Sequence, residues 1–318
     1  MKIVVLDGYT VNPGDIDWGE LEKLGDVTIY SRTEPKQVEE RAADADAILT
    51  NKVVLMKKQL DSMPNLKYIG VLATGYNVVD LNESKRRGIV VTNIPAYSTD
   101  SVAQMTFAHI LNIINKVGYY AQQNSAGRWT QNPDFCYWDA PLHELAAMTL
   151  GIVGLGNIGA KVARIASAFG MNVLAFTSKD QSSLPEGIQK CSVESLFANS
   201  DIITLHCPLK DDTHHLVRHE TIAKMKHGVI VVNTGRGPLV CEDDVAQALH
   251  EGKIAAYGAD VLDGEPPSAD NPLLHAPNAF ITPHIAWATT EARKRLVGIA
   301  VDNLRLFLQG CTQNQVNN

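Results

Sequence analysis

Three polar residues in the second half of the chain have the types that acid–base chemistry on an anion requires. Arg236, Glu265 and His284 each follow an apolar segment. The planar fork of an arginine suits a carboxylate better than a lysine does. A carboxylate beside a histidine favours the charged imidazolium, which can then deliver a proton near neutral pH. The three residues are candidates for binding a carboxylate and moving a proton.

A glycine-rich turn precedes these candidates in the chain. Gly154, Gly156 and Gly159 have the spacing G-x-G-x-x-G between an apolar run and a stretch with helical spacing. The first glycine permits a tight turn, the second lets the backbone approach a pyrophosphate, and the third lets helix and strand pack closely. Asn157 and Ile158 would begin a helix whose unpaired N–H groups face the anion. The turn is predicted to bind a nicotinamide dinucleotide, although alone it could serve a tight strand–helix connection.

The end of the next predicted strand bears on which dinucleotide fits. NAD is usually bound there by an acidic side chain on its ribose, but this strand ends in Thr177, Ser178 and Lys179. Asp180 lies beyond the strand end and is interpreted as a loop residue. Ser178 and Lys179 could bind the 2′-phosphate of NADP, which a carboxylate would repel. The cofactor is therefore predicted as NAD or NADP, with the preference open.

Each catalytic candidate also has an ordinary interpretation. Arg236 could be a surface charge, Glu265 a turn carboxylate and His284 a hydrogen-bonded loop histidine. Open α/β sheets bind their ligands at the carboxyl ends of the strands. Three such residues at three strand ends, after a dinucleotide-binding turn, favour one shared site over three unrelated positions.

Short β-branched runs alternate with helical stretches along the whole chain. Buried strands are predicted at 3–6, 27–30, 47–50, 68–72 and 89–92 and, in a second series, at 149–153, 172–176, 202–205, 229–233, 255–260 and 280–282. A long helix is expected from about 101 to 120, followed by an irregular segment. This alternation is typical of parallel sheets with crossover helices. The predicted fold class is α/β, with two doubly wound parallel-sheet domains.

Chain length and the C-terminal pattern predict the domain organisation. A chain of 318 residues is roughly twice a typical domain. The amphipathic stretch 292–308 is too small to fold alone and is expected to pack on the first domain. We predict one discontinuous domain at 1–98 and 289–318 and a second domain at 99–288.

Composition excludes several functional classes. A net charge of −7 leaves no basic surface for nucleic acid. Five scattered cysteines lack the spacing of a zinc site or a disulfide framework, which favours a reducing cytoplasm. No run predicts a signal peptide or a membrane span. No metal site is predicted, and His214, His215 and His219 are interpreted as loop and helix-start residues.

The sequence resembles the D-isomer-specific 2-hydroxyacid dehydrogenase family over essentially its whole length. The matching motifs are Ala73-Thr74-Gly75-Tyr76-Asn77-Val78-Val79-Asp80, the turn from Gly154 to Gly159, His206-Cys207-Pro208-Leu209, Asn233-Thr234-Gly235-Arg236-Gly237, Asp260 through Pro266, and Pro283-His284. The resemblance implies a Rossmann-type cofactor domain, a flavodoxin-like substrate domain and an active site in the cleft between them. It also implies that Arg236, Glu265 and His284 are catalytic.

The resemblance further implies which residues contact the ligands. Cofactor contacts would come from Gly154, Gly156, Asn157, Ile158, Gly159, Thr177, Ser178, Lys179, His206, Cys207, Pro208, Thr213, Thr234, Gly235 and Asp260, the last binding the carboxamide. Substrate contacts would come from Ala73, Thr74, Gly75, Arg236, His284 and Trp138. In the implied reaction a 2-keto acid receives hydride at C2 and a proton from His284, which Glu265 keeps charged, while Arg236 holds the carboxylate.

Segments 135–138 and 283–289 are similar to glycerate dehydrogenases, which are hydroxypyruvate reductases. We therefore expect reduction of hydroxypyruvate or glyoxylate to D-glycerate or glycolate. The alternatives are a D-lactate-type or broad-range 2-keto acid reductase and a non-enzymatic, dinucleotide-sensing corepressor. A phosphoglycerate dehydrogenase is disfavoured, since no basic cluster is placed for a substrate phosphate.

Relatives use the arm at about 118–145 for dimerisation, so the resemblance implies a homodimer. In some relatives a tryptophan of this arm reaches the neighbouring active site. Trp138 is therefore predicted either to line the partner's pocket or to anchor the dimer interface.

Overall fold

The computed structural model describes all 318 residues, which divide into two compact units. The first unit comprises residues 1–98 and 287–318, and the second comprises residues 99–286. The chain returns to the first unit at residue 287, two residues before the predicted boundary at 289. Each unit is built on one all-parallel sheet, which confirms the predicted α/β fold class. None of the helices combines the length and the apolar character that crossing a membrane requires.

The sheet of the first unit has the order β2-β1-β3-β4-β5. Its strands are β1 Lys2–Val5, β2 Asp26–Ile29, β3 Ala47–Thr50, β4 Tyr68–Val71 and β5 Val90–Thr92. Its helices before residue 99 are α1 Gly8–Val11, α2 Gly19–Glu22, α3 Val38–Ala42, α4 Lys57–Asp61 and α5 Leu81–Arg86. This strand order is that of flavodoxin-like folds.

The sheet of the second unit has seven strands in the order β12-β11-β10-β9-β6-β7-β8. They are β6 Thr149–Val153, β7 Asn172–Phe176, β8 Ile188–Lys190, β9 Ile202–Leu205, β10 Val229–Asn233, β11 Ile254–Ala259 and β12 Ala279–Ile281. The helices are α6 Thr99–Asn115, α7 Val117–Ser125, α8 Asn157–Ala168, α9 Val193–Asn199, α10 His219–Ile222 and α11 Glu242–His250. Counted within the unit, the order is that of a Rossmann fold extended by one strand.

The structure differs from the predicted strands in two places. Strand β2 was expected to be buried, but it is an edge strand in which only Val27 is even half-buried. Strand β8 was not predicted, because its sequence Ile-Gln-Lys is short and only Ile188 is buried. In both cases the strand has a single neighbour in the sheet, so less of its surface needs to be apolar.

The long helix predicted at about 101–120 is divided in two. Helix α6 ends at Asn115, and Lys116 adopts a left-handed conformation with φ of 51°. Helix α7 then begins at Val117 and contains no buried residue. The core-facing pattern ends with Ile113 and Ile114, so no apolar face holds α7 in line with α6.

The C-terminal helix α12, Thr290–Leu308, returns to the first sheet, as predicted. Ala292, Leu296, Ala300 and Leu304 recur every four residues and are almost fully buried. They share one core with β1 and β3. The side chain of Thr289 accepts a hydrogen bond from Ala292 N and caps the first turn.

Candidate active site

The glycine turn leads from β6 into α8. Gly154 has φ of 96°, and a Cβ there would lie 2.5 Å from Cys207 N. A Cβ on Gly159 would lie 2.2 Å from Gly154 O. Both positions therefore exclude a side chain, whereas the space above Gly156 is open. Helix α8 begins at Asn157 with no side-chain cap, so its first N–H groups remain for a ligand.

This geometry fits a dinucleotide pyrophosphate. The open side of Gly156 and the uncapped start of α8 are the two features that anion binding at a strand–helix turn requires. Ile158 is half-buried on the first turn of α8, and Asn157 is exposed. The structure gives a second reason why residue 154 must be a glycine, since the backbone that follows β9 passes directly against it.

The turn after β7 is held by β8. Thr177 Oγ1 accepts a hydrogen bond from Lys179 N at 3.2 Å, and Lys190 Nζ donates to Lys179 O at 2.6 Å. The Gln181 amide accepts from Lys190 N at 2.7 Å and donates to Ile188 O at 2.9 Å. Sequence reasoning missed Lys190 because it missed β8. The structure brings its ammonium group to the same turn as the predicted Lys179.

No acidic side chain is supplied by β7 itself. Ser178 is exposed in the turn, and Asp180 precedes a short 3-10 turn, Gln181–Ser183. The carbonyl of Asp180 accepts a hydrogen bond from Ser183 Oγ at 2.8 Å, which agrees with its interpretation as a loop residue.

The residues after β9 mainly shape their own loop. Both ring nitrogens of His206 are buried without a hydrogen-bond partner, and burial lowers the pKa of His206 to about 4. Burial raises the pKa of the Cys207 thiol to about 11, which suits packing rather than reaction. Thr213 Oγ1 donates to Pro208 O at 2.8 Å and accepts from Lys210 N at 2.7 Å. Cofactor contacts by His206, Cys207, Pro208 and Thr213 remain predictions.

The loop after β10 carries Arg236 on a buried asparagine. Asn233 Oδ1 accepts from Gly235 N at 3.1 Å, and Asn233 Nδ2 donates to Arg236 O at 2.8 Å. Arg236 is exposed, and its Nη1 donates to Gly235 O at 2.7 Å. The hydroxyls of Thr234 and Thr106 lie 2.9 Å apart. The role of Asn233 was missed, although a polar residue ending an apolar strand could have indicated it.

Close packing joins this loop to the loop that carries Glu265. A Cβ on Gly237 would lie 2.0 Å from the carbonyl carbon of Leu262. Only a glycine permits the two backbones to pass at this distance. The contact places the loops of Arg236 and Glu265 side by side.

Glu265 and His284 form a pair at the ends of β11 and β12. His284 Nδ1 lies 2.5 Å from Glu265 Oε2, and Glu265 Oε1 accepts from Leu262 N at 3.1 Å. Each side chain is 31% exposed. Because Glu265 engages Nδ1, the other ring nitrogen, Nε2, is the atom that can exchange a proton with a ligand.

Asp260 is buried beneath the loop that carries His284. Its Oδ1 accepts from Thr282 Oγ1 at 2.6 Å and from Ile285 N at 2.9 Å, and its Oδ2 accepts from Ala286 N at 2.7 Å. Three of roughly four acceptor positions of the carboxylate are thus used within the protein. Binding of a carboxamide by Asp260 remains a prediction, whereas its support of the His284 loop is direct.

The predicted substrate residues Ala73, Thr74 and Gly75 follow β4 in the first unit. Thr74 Oγ1 donates to Ile94 O at 2.9 Å, and Thr74 O accepts from Asn93 Nδ2 at 2.8 Å. These bonds fix the segment and leave the main-chain N–H groups of Thr74 and Gly75 for a ligand. Their contact with substrate remains a prediction.

Trp138 lies on the irregular arm, 65% exposed, near Phe135, which is 89% exposed. Arg128 pairs with both carboxylate oxygens of Asp139 at 2.6 and 2.5 Å and lowers the pKa of Asp139 to about 2. Trp129 Nε1 donates to Phe135 O at 2.9 Å. The arm is held by polar contacts while its apolar side chains face outward.

The histidines at 214, 215 and 219 belong to no group of side chains that could hold a metal ion. The rings of His214 and His215 stack with centroids 3.9 Å apart, and His219 begins α10.

Comparison with known proteins agrees with this geometry. Residues 107–286 match the family described as D-isomer specific 2-hydroxyacid dehydrogenase, NAD binding domain. A hydroxypyruvate reductase of Blautia hydrogenotrophica is 50% identical over the full length of both chains. A glycerate dehydrogenase of Methylorubrum extorquens is 39% identical, covering 89% of this chain and 88% of its own.

Among solved structures, an acyclic imino acid reductase in complex with NADPH and D-Arg superposes with a TM-score of 0.85 at 28% identity. The match covers 99% of this chain and all of that one. Together with the glycine turn and the His284–Glu265 pair, these findings assign the protein: the chain belongs to the D-isomer-specific 2-hydroxyacid dehydrogenase family and is an oxidoreductase of CH–OH groups that uses NAD or NADP.

Proposed function

We propose that this enzyme reduces hydroxypyruvate to D-glycerate and also accepts glyoxylate. The His284–Glu265 pair, with Nδ1 and Oε2 at 2.5 Å, is the observation that carries the reaction type. The substrate is supported by the full-length relative, which is named hydroxypyruvate reductase. The glycerate dehydrogenase relative agrees with the same reaction written in reverse.

The residues of the second unit divide the chemistry between them. The bound nicotinamide, when reduced, would supply a hydride to C2 of the keto acid. The protonated His284 donates from Nε2 to the carbonyl oxygen, and Glu265 stabilises the imidazolium through Nδ1. The guanidinium of Arg236 binds the carboxylate and polarises the carbonyl. Such general acid catalysis contributes about 10²- to 10⁴-fold to the rate.

We also propose that NADPH is accepted at least as well as NADH. Lys190 Nζ uses one donor on Lys179 O, and a lysine has three donors. Two donors of Lys190 remain for a phosphate, and Lys179 belongs to the same turn. Strand β7 also ends without the carboxylate that usually binds the ribose diol of NAD.

A rate matrix tests both proposals. NADH and NADPH are each combined with hydroxypyruvate, glyoxylate, pyruvate and phosphohydroxypyruvate, and kcat/KM is measured for every pair. We expect the highest values for hydroxypyruvate with NADPH. Pyruvate matching hydroxypyruvate would instead support the D-lactate-type or broad-range alternative. No turnover with any substrate, together with retained binding of the dinucleotides, would support the corepressor alternative.

The exposed arm supports the proposal of a homodimer. Phe135 and Trp138 are large apolar side chains left facing outward, which is typical of a surface that a second copy covers. Light scattering with size exclusion should give about twice the monomer mass, and Phe135→Ser should shift it toward monomer. Val54→Ser, at a 48% exposed site in the first unit, is the matched control.

The prediction of a reducing cytoplasmic location stands on the five unpaired cysteines.

A further inference from the structure

We propose that buried His109 is a positioning residue for His284, acting through the hydroxyl of Thr282 and the carboxylate of Asp260. The proposal rests on the assignment of His284 as the acid of the reaction. His109 lies on α6, away from the strand-end loops in sequence, and no motif in the chain indicates it.

A continuous series of hydrogen bonds joins His109 to the loop of His284. His109 Nε2 lies 3.2 Å from Thr282 Oγ1, which lies 2.6 Å from Asp260 Oδ1. Asp260 in turn accepts hydrogen bonds from Ile285 N and Ala286 N, the two residues after His284. His109 and Asp260 are 4% and 1% exposed, so water does not compete for these groups.

The hydrogens in this series can be assigned from chemistry. A carboxylate only accepts, so the single hydroxyl hydrogen of Thr282 points to Asp260. Thr282 Oγ1 must then accept from His109, which places a hydrogen on Nε2. Burial lowers the pKa of His109, and this effect outweighs the opposite influence of Asp260. Burial thus favours the neutral imidazole, and the hydrogen bond to Thr282 places its hydrogen on Nε2.

The loop of His284 needs such support because its backbone is strained. His284 has φ of 53°, a conformation that residues other than glycine rarely adopt. Its N–H donates to Thr282 O at 2.9 Å, so the tight turn begins at the residue that His109 contacts. The series holds both ends of this turn, since it reaches Thr282 on one side and residues 285 and 286 on the other.

Close packing fixes the position of His109 as well. A Cβ on Gly258 would lie 2.9 Å from the Cβ of His109 and 3.1 Å from its ring. Strand β11 therefore passes directly against the imidazole, with room for no side chain between them. The imidazole therefore cannot shift along the strand. Because His109 contacts Thr282 Oγ1, helix α6 fixes the position of Thr282 relative to the sheet.

Three variants test the proposal. His109→Leu fills a similar volume but removes the N–H donor to Thr282. His109→Gln supplies an amide donor of similar reach, and Thr282→Val removes the hydroxyl. We expect His109→Leu and Thr282→Val each to lower kcat for hydroxypyruvate about 10-fold, less than the roughly 100-fold that a displacement of about 1 Å can cost. His109→Gln should recover most of the rate, and dinucleotide affinity, measured by fluorescence, should be unchanged in all three.

A double variant separates positioning from mere packing. If His109 acts through Thr282, His109→Leu combined with Thr282→Val should be no slower than Thr282→Val alone. Multiplied losses, or wild-type kcat in His109→Leu, would overturn the proposal. Equal losses in His109→Gln and His109→Leu would also overturn it, because the donor would then be irrelevant.

Nuclear magnetic resonance of ¹⁵N-labelled histidine tests the positioning without turnover. The ring signals of His284, assigned with His284→Ala, should move in His109→Leu and return in His109→Gln. Unmoved signals would contradict the proposal even if the enzyme is active. Moved signals in a protein that reduces no keto acid would retain the positioning role and reject the proposed function.

Discussion

The loops after β10, β11 and β12 and the turn after β7 lie at the same edge of one sheet, yet they are fixed in different ways. The first group is held by the buried residues Asn233 and Asp260 and by backbone contact at Gly237. The turn after β7 is held by the long side chains of Gln181 and Lys190 at the surface. Acid–base chemistry needs fixed distances, whereas recognition of a phosphate tolerates mobile charges.

The largest effect is expected at the centre of the buried group. His284→Ala removes the proton donor, so kcat for hydroxypyruvate should fall at least about 10³-fold, within the range of general acid catalysis. Dinucleotide affinity measured by fluorescence should stay near the wild-type value. Wild-type kcat in this variant would reject the assignment of the acid.

Loss of the carboxylate beside His284 should lower kcat less than loss of His284 itself. Glu265→Gln keeps a hydrogen-bonding side chain but removes the negative charge that stabilises the imidazolium, so kcat should fall about 10- to 100-fold. Steady-state kinetics at pH 7 provide the measurement. Asp180→Asn removes a carboxylate from an exposed loop and should leave kcat unchanged.

The close contact between the two catalytic loops should be sensitive to one methyl group. Gly237→Ala would place Cβ 2.0 Å from Leu262 C, so the loops must separate. We expect a loss of about 1–3 kcal/mol in the free energy of unfolding, together with a lower kcat. Gly298→Ala in α12 is the control, since its Cβ would meet nothing within 4 Å. Equal thermal stability of both variants would show that the contact is not tight.

The smallest effect is expected at the surface turn. Lys190→Ala should weaken NADPH binding about 2- to 5-fold, of the order of one exposed charge pair, and leave NADH binding unchanged. Titration calorimetry with both dinucleotides measures the difference, and raised salt should reduce it. The exposed Lys58 of the first unit provides a matched lysine-to-alanine control. Equal weakening for both dinucleotides would contradict a role in phosphate recognition.

The sequence could predict whatever leaves a local pattern. Buried strands such as β6 and β10 show as apolar runs, and the residues ending them were located for the same reason. Strand β8 left no such pattern, so Lys190 could not be placed beside Lys179. The periodicity of the sequence predicts one helix that continues past Lys116, because it does not show that the segment after Lys116 has no packing partner.

Contacts between segments distant in sequence were beyond prediction. His109 and Thr282 are 173 residues apart, and nothing near either residue indicates the other. The resemblance implies that Asp260 binds the carboxamide of the cofactor, and this contact stays a prediction. The structure adds that Asp260 uses most of its acceptor positions to hold the loop of His284, which no local pattern in the sequence indicates.

Helix α6 touches two of the strand-end loops from behind. Thr106 meets Thr234, and His109, one turn later, meets Thr282. One face of α6 thus fixes the positions, relative to each other, of the two loops that carry Arg236 and His284. In a saturation mutagenesis screen scored by activity, positions on this face should therefore tolerate as few substitutions as the loops themselves. Positions in the adjoining α7, which buries nothing, should tolerate many.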